Sequence, residues 1–267
     1  MTTKTAPTTI EPFTLGEPRS FRGLTIIPLF AIADPRLEYI GLDEALPRGL
    51  RVCEVDVHGD VETLLVENPL DERVLLYEGE ELVGAKQNRI LKRSVLVEPR
   101  RTIKVSVACV ERRRWSSQPG AFVAAPRAAY PELRQANRAG QQAVWANVAA
   151  KSMRLEAFSP TEAAEAIYTS NRSTVEEYVQ ALPRLDGQSG AIVAVAGNIV
   201  CLDYVSRSDV FAGLYLKLLR GYALDAIERP LAKPLAKAAV ARFLKSAERL
   251  PLVVDDEVVA LTAYPAS

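Results

Sequence analysis

The chain has 267 residues, 48% hydrophobic and 25% charged, with 33 basic residues against 33 acidic ones. That composition suits a globular protein with a sizeable core, and zero formal charge excludes a protein-wide field that would gather nucleic acid or an anionic membrane. The longest apolar run, residues 191–202, is far short of the roughly 20 residues of a membrane-spanning helix.

The opening "MTTKTAPTTIEP" lacks the apolar segment of a signal peptide. Residues 1–20 read as a disordered tail and 21–267 as a single α+β domain. "LTIIPLFAI" (24–32) is a strand that Pro28 confines to an edge or bulge. In "RVCEVDVHG", Cys53, Val55 and Val57 alternate with Glu54 and Asp56, which predicts a half-buried strand turning at His58-Gly59-Asp60. "VETLLVENP", "RVLLYEGEELVG", "RILKRSVLVEP" and "RTIKVSVACVE" continue as short strands broken at Pro69, Gly79 and Pro99-Arg100. Such a series predicts a mostly antiparallel, β-rich N-terminal half, sandwich-like or barrel-like.

The second half reads as mainly helical. Residues 131–153 place Leu133, Ala136, Gly140, Val144 and Val148 at helical spacing. Ser159-Pro160-Thr161-Glu162 and Ser173-Thr174-Val175-Glu176 resemble capping boxes, with a helix–helix turn at Asn171-Arg172. "GAIVAVAGNIVCLDYV" predicts a β-hairpin turning at Gly197-Asn198. A long helix follows with Phe211, Leu214, Tyr215, Leu218, Leu219, Tyr222 and Ala226 on its apolar stripe, ended by Pro230. A second helix over 235–250 and a short strand over 257–263 close the chain.

Cys53, Cys109 and Cys201 are widely spaced within apolar runs, which predicts buried reduced thiols and a cytoplasmic protein. With His58 the only histidine and no Cys-x-x-Cys pair, a zinc or iron site and a histidine-based mechanism are not expected.

Charge is unevenly placed. From Glu54 to Glu81 there are ten acidic residues and one Arg, Arg73; from Lys86 to Arg114 there are ten basic residues and two acidic ones, Glu98 and Glu111. Pairing across neighbouring strands accounts for most of these charges. A few fit it poorly. Glu111 continues the apolar parity of Ile103, Val105, Val107 and Cys109, so its carboxylate needs a partner. Gln87, Asn88 and Arg89 combine amides that donate and accept with a guanidinium fork suited to carboxylate or phosphate. Arg89 is the expected partner of Glu111, and Trp115 a surface on which a base or sugar stacks.

"YEGEELVGAKQNRILKRSVLVEP", "IKVSVACVERRRW", "QQAVWANV" and "GAIVAVAGNIVCLDYVSRSDVFAGLYLKLLRGYALDA" together resemble the ARG and Rhodanese-Phosphatase-superfamily-associated Protein domain, over about residues 21–263. The resemblance implies a context of bacterial conflict or stress systems, beside ADP-ribosylglycohydrolase-like and phosphatase-like proteins, and carries no established activity. The family's polar positions fall on Glu78, Glu80, Gln87, Asn88, Arg89, Glu111, Arg114 and Trp115. Where the family often has a small or polar residue before its Arg-Trp pair, this chain has Arg112-Arg113.

Three functions follow as expectations. The first is a binding or sensor module for a phosphorylated, nucleotide-like or ADP-ribose-like ligand, with Arg89 and Arg114 on the phosphate, Gln87 and Asn88 on the sugar or base edge, and Trp115 stacking. The second is a hydrolase of such a ligand, with Glu111 as the best catalytic candidate and Glu78 or Glu80 as its partner. No cofactor is expected, although magnesium would suit such carboxylates in an enzyme. The third is an interaction protein, with partners from a shared operon or a second copy of itself.

Overall fold

The computed structural model of the chain describes residues 12–115 and 120–266. In chain order the elements are strands β1 (Phe13–Leu15), β2 (Arg19–Phe21), β3 (Leu24–Ala31) and β4 (Tyr39–Gly41), the short helix α1 (Leu42–Ala45), and strands β5 (Arg51–Glu54), β6 (Thr63–Asn68), β7 (Arg73–Leu76), β8 (Glu80–Gly84), β9 (Arg89–Leu91), β10 (Val95–Val97), β11 (Arg101–Cys109) and β12 (Phe122–Ala128). Helices α2 (Pro131–Arg138), α3 (Gln141–Arg154), α4 (Ala164–Ser170) and α5 (Arg172–Ala181) follow. Then come the hairpin β13 (Gln188–Val195) and β14 (Asn198–Val205), helices α6 (Ser208–Ile227) and α7 (Lys237–Ser246), and strands β15 (Glu248–Val254) and β16 (Glu257–Tyr264). The class is α+β, as the sequence patterns predict.

Three sheets form. The largest runs β1-β3-β13-β14-β16-β15, with β2 also on β3; the second runs β12-β8-β9-β11-β6-β5; a small third runs β10-β7-β4. Among these strands every pairing is antiparallel except β4 with β7. The N-terminal β3 therefore pairs with the C-terminal hairpin, so the two halves of the chain share a sheet. That sheet is covered on both faces. Ile26 and Val193 belong to a core with Tyr215, Leu218 and Tyr222 of α6, whereas Ile27 and Ile192 pack with Val240 and Phe243 of α7. Two-sided burial explains why residues 24–29, Thr25 included, and 191–195 are buried throughout instead of alternating. A separate core lies against the second sheet, with Val52, Val66, Leu82, Leu91, Val107 and Phe122.

Several expectations need correcting. Residues 13–15 and 19–20, assigned to the tail, form β1 and most of β2, with Phe13 buried against Tyr204; residues 1–11 lie outside the described residues. Pro28 is in an interior strand. Its carbonyl accepts from Gly16 N–H at 2.8 Å, so its missing N–H falls in the gap between β1 and β2 and no ladder bond is lost. In β5 the parity is inverted: Val52 is buried, Cys53 is only partly so, and Val57 is 84% exposed. The predicted helix over 131–153 is two helices, broken at Gly140 with φ of 104°. Ser159 does accept backbone N–H groups from Thr161 and Ala163, but α4 begins only at Ala164, after Glu162 at φ of 52°. Ser173 lies inside α5, which starts at Arg172 after the expected turn. The hairpin turns on Ala196-Gly197, one residue earlier than expected, with φ of 48° and 80°. Residues 248–250, read as helix, open the strand β15.

Candidate functional site

Pairing of β9 with β11 sets Cys109 opposite Arg89, and extending that register by two residues sets Glu111 opposite Gln87. The β8–β9 connection and the segment after β11 thereby form one corner. Gln87 Nε2 donates to the Glu111 carbonyl at 3.0 Å. The Glu111 side chain is buried as its strand parity requires. Its Oε2 accepts from Arg114 Nε at 2.7 Å and from the Asn88 N–H at 3.4 Å, while Oε1 accepts from the Thr161 hydroxyl at 2.9 Å. Arg114 also donates to Ala85 O at 2.9 Å and to Asn88 Oδ1 at 3.0 Å. The carboxylate thus ties three segments together and has its hydrogen-bonding capacity largely filled.

Arg89 is not its partner, contrary to the sequence expectation. The chain turns at residues 112–113, which brings Arg114 back onto Glu111 at i+3 spacing, and the position is taken. Arg89 is fully buried. Its Nη1 donates to Gln87 Oε1 at 3.1 Å, its Nη2 reaches Asp60 O only at 3.5 Å, and Glu54 Oε1 stands 4.0 Å away. Its Nε has no partner among the described residues. Burial pulls its pKa below the ordinary arginine value. Trp115 is 48% exposed, and Lys86 Nζ and Arg89 Cζ lie 5.3 and 5.9 Å from its ring centroid. Lys86 makes no ion pair among the described residues.

Glu78 and Glu80 are elsewhere. They flank Gly79, at φ of 83°, in the β7–β8 turn, and their side-chain partners come from β16 and from α6. Glu78 accepts from the Tyr264 hydroxyl at 2.6 Å, and burial raises its pKa. Glu80 accepts from the Tyr77 N–H and from Lys217 Nζ, each at 2.9 Å. Neither pairs with Glu111, so the two-carboxylate arrangement expected for hydrolysis or for magnesium is not assembled from these residues. Part of the charge step resolves into pairs between the two segments, Arg73–Glu98, Lys92–Glu62 and Arg100–Asp71, whereas Arg113 pairs with Glu162, Glu81 with Arg127 and Glu80 with Lys217.

Two buried polar centres escaped the sequence reading. Arg134 forks onto Asp203 with both bonds at 2.7 Å, and both side chains are fully buried. The hydroxyls of Tyr77 and Tyr222 complete the Asp203 shell at 2.9 and 2.6 Å. Burial alone would raise the Asp203 pKa, but the Arg134 charge and these donors hold it below the usual carboxylate range. The available signal was an acid inside "IVCLDYV". In the second centre, ligand oxygens of Glu132, Asp225 and Glu228 lie within 4.8 Å of one another. The fully buried Lys151 ammonium is 2.9 Å from Asp225 and bonds Glu228, which Arg154 also bonds. Burial opposes the Lys151 charge, but Asp225 and Glu228 hold its pKa up. The counter-charge that a cation would bring is therefore already supplied by this chain.

The family model described as the ARG and Rhodanese-Phosphatase-superfamily-associated Protein domain matches residues 12–262. The chain belongs to that family. The match to the ARG and Rhodanese-Phosphatase-superfamily-associated Protein domain takes in all three sheets and the whole 84–115 corner. No curated protein matches the chain, and no solved structure does. In this member of the family, no helix among the described residues is long and apolar enough to cross a membrane.

Proposed function

We propose that this member of the family is a cytoplasmic binding or sensor module for a phosphorylated, nucleotide-like small molecule of the ADP-ribose kind, serving bacterial stress or conflict systems. The observation that carries the reading is Arg89: a fully buried guanidinium with one well-formed hydrogen bond and an unpartnered Nε. A buried charge is costly unless it is met by partners, and a half-met cation beside an exposed indole suits an anionic ligand with a flat group. Lys86, Arg89 and Trp115 supply cation, fork and stacking face. Arg114 is taken from the ligand set, because its donors are committed to Glu111, Ala85 and Asn88. The family description associates the domain with a phosphatase superfamily, in keeping with a phosphorylated ligand. Hydrolysis ranks lower, because Glu111 is occupied and Glu78 and Glu80 face other partners.

The test is to titrate the full chain with ADP-ribose, AMP and inorganic phosphate, following tryptophan fluorescence and melting temperature. We expect saturable quenching that Trp115→Phe alters and Arg89→Gln weakens, with stabilisation of about 2.7 kcal/mol at a hundredfold excess over Kd. A folded protein that shows neither quenching nor a thermal shift with any of the three overturns the reading and leaves an interaction role as the stronger one.

A further inference from the structure

Resting on that reading, we infer that Glu54 is a specificity-determining residue, which with Arg89 selects a sugar hydroxyl pair on the phosphorylated ligand. Glu54 lies at the end of β5, and its side chain is 10% exposed. One oxygen, Oε1, accepts from the Lys86 N–H at 3.3 Å. The other, Oε2, is buried and has no partner among the described residues, as is true of Arg89 Nε. Arg89 Nη2 and Glu54 Oε1 stand 4.0 Å apart, beyond hydrogen-bond reach, so the orphan acceptor and the orphan donor belong to two side chains that approach without bonding.

What bridges them must both give and take a hydrogen bond. A phosphate ester is mainly dianionic at neutral pH and offers acceptors, and the Glu54 carboxylate repels it. A hydroxyl does both: it donates to Glu54 Oε2 and accepts from Arg89 Nε. A vicinal diol places a second such group alongside, and Lys86, which has no carboxylate partner among the described residues, is left for the phosphate beside Trp115. The β5–β6 connection lies over this gap. Asp60 O approaches Arg89 Nη2 at 3.5 Å, and a Cβ on Gly59 would stand 3.1 Å from Glu54 Oε2 and 2.7 Å from Lys86 Cδ. Access therefore requires residues 55–62 to shift.

The experiment compares ribose 5-phosphate, 2-deoxyribose 5-phosphate and inorganic phosphate by calorimetric titration of the full chain, Glu54→Gln and Glu54→Ala. Glutamine keeps an oxygen for the Lys86 N–H, and circular dichroism checks that each variant is folded. We expect the wild type to hold ribose 5-phosphate more tightly than the deoxy sugar by on the order of tenfold or more, as a site built around a hydroxyl rejects the analogue lacking it. Both variants should lose that preference, and inorganic phosphate, relieved of the Glu54 repulsion, should bind them more tightly than it binds the wild type. Equal affinity for the two sugars in the wild type, or an unchanged preference in the variants, overturns the role of Glu54 and leaves the gap to water. Failure of all three probes and of ADP-ribose to bind overturns the binding reading itself, and this inference with it.

Discussion

Replacing Asp203 with Asn probes the buried centre that joins the two halves of the chain. The substitution preserves shape and removes one charge, leaving Arg134 fully buried with its fork facing an amide. Asp203 accepts two guanidinium bonds at 2.7 Å and two tyrosine hydroxyls at 2.9 and 2.6 Å. Breaking a buried ion pair by removing one partner costs about 3–5 kcal/mol, and a tyrosine hydroxyl left facing a donor adds about 1–3 kcal/mol. Against a total stability of about 5–15 kcal/mol, Asp203→Asn should unfold the chain at markedly lower urea. The paired replacement Arg134→Met with Asp203→Leu leaves no charge uncompensated and should cost much less. The pH dependence has a definite sign. The folded pKa of Asp203 is held low, so its contribution is complete above the unfolded carboxyl value of about 3.9 and is lost as pH falls through the folded value. Urea melts at neutral and acid pH measure both effects. An Asp203→Asn midpoint corresponding to less than about 1 kcal/mol of destabilisation would refute the uncompensated-charge reasoning.

Three further outcomes are expected. Gly197→Val should cost about 1–3 kcal/mol by forcing a β-branched residue into a left-handed conformation, with its Cβ 3.1 Å from Lys233 Cβ and Pro234 O; an unchanged melting temperature would count against the Ala196-Gly197 turn. A bulky thiol reagent should label the partly exposed Cys53 first, whereas Cys109 and Cys201, whose burial pushes their pKa up, should wait for unfolding; equal rates at all three would contradict this. Because burial raises the folded pKa of Glu78, the folded state binds more protons there and stability falls as pH rises from about 4.3, the unfolded value, through the folded one. Glu78→Gln should flatten that fall in a pH series of urea melts, and an identical slope would contradict it.

The sequence carried the broad plan because its signals were periodic and local. The short strands between Thr63 and Cys109, the helix–helix turn at Asn171-Arg172 and the long apolar stripe of α6 are all set by near neighbours. What misled was tertiary. Pro28 looks like an edge residue until β1 and β2 are seen to leave a gap opposite it, and Val52 instead of Cys53 faces the core because the second sheet, not β5 itself, decides which parity is buried. The corner was partly legible: Cys109 parity placed Glu111 inward, and register placed Gln87 beside it. The partner was misassigned because a turn at 112–113 cannot be read from a run of arginines, so Arg114 took the place given to Arg89. Glu54 was invisible as a site residue, since one acid in an alternating strand looks like any solvent-facing charge. Glu78 and Glu80 were drawn away by Tyr264 and Lys217, which lie more than a hundred residues along the chain.

The most direct test of the central claim is a crystal structure of the full chain soaked or grown with ADP-ribose. The account predicts ligand density in the corner bounded by Glu54, Lys86, Arg89 and Trp115, with a flat group against the indole and a hydroxyl bridging Glu54 Oε2 and Arg89 Nε. Saturating ligand that leaves this corner empty, or that binds only at another place on the molecule, would contradict it.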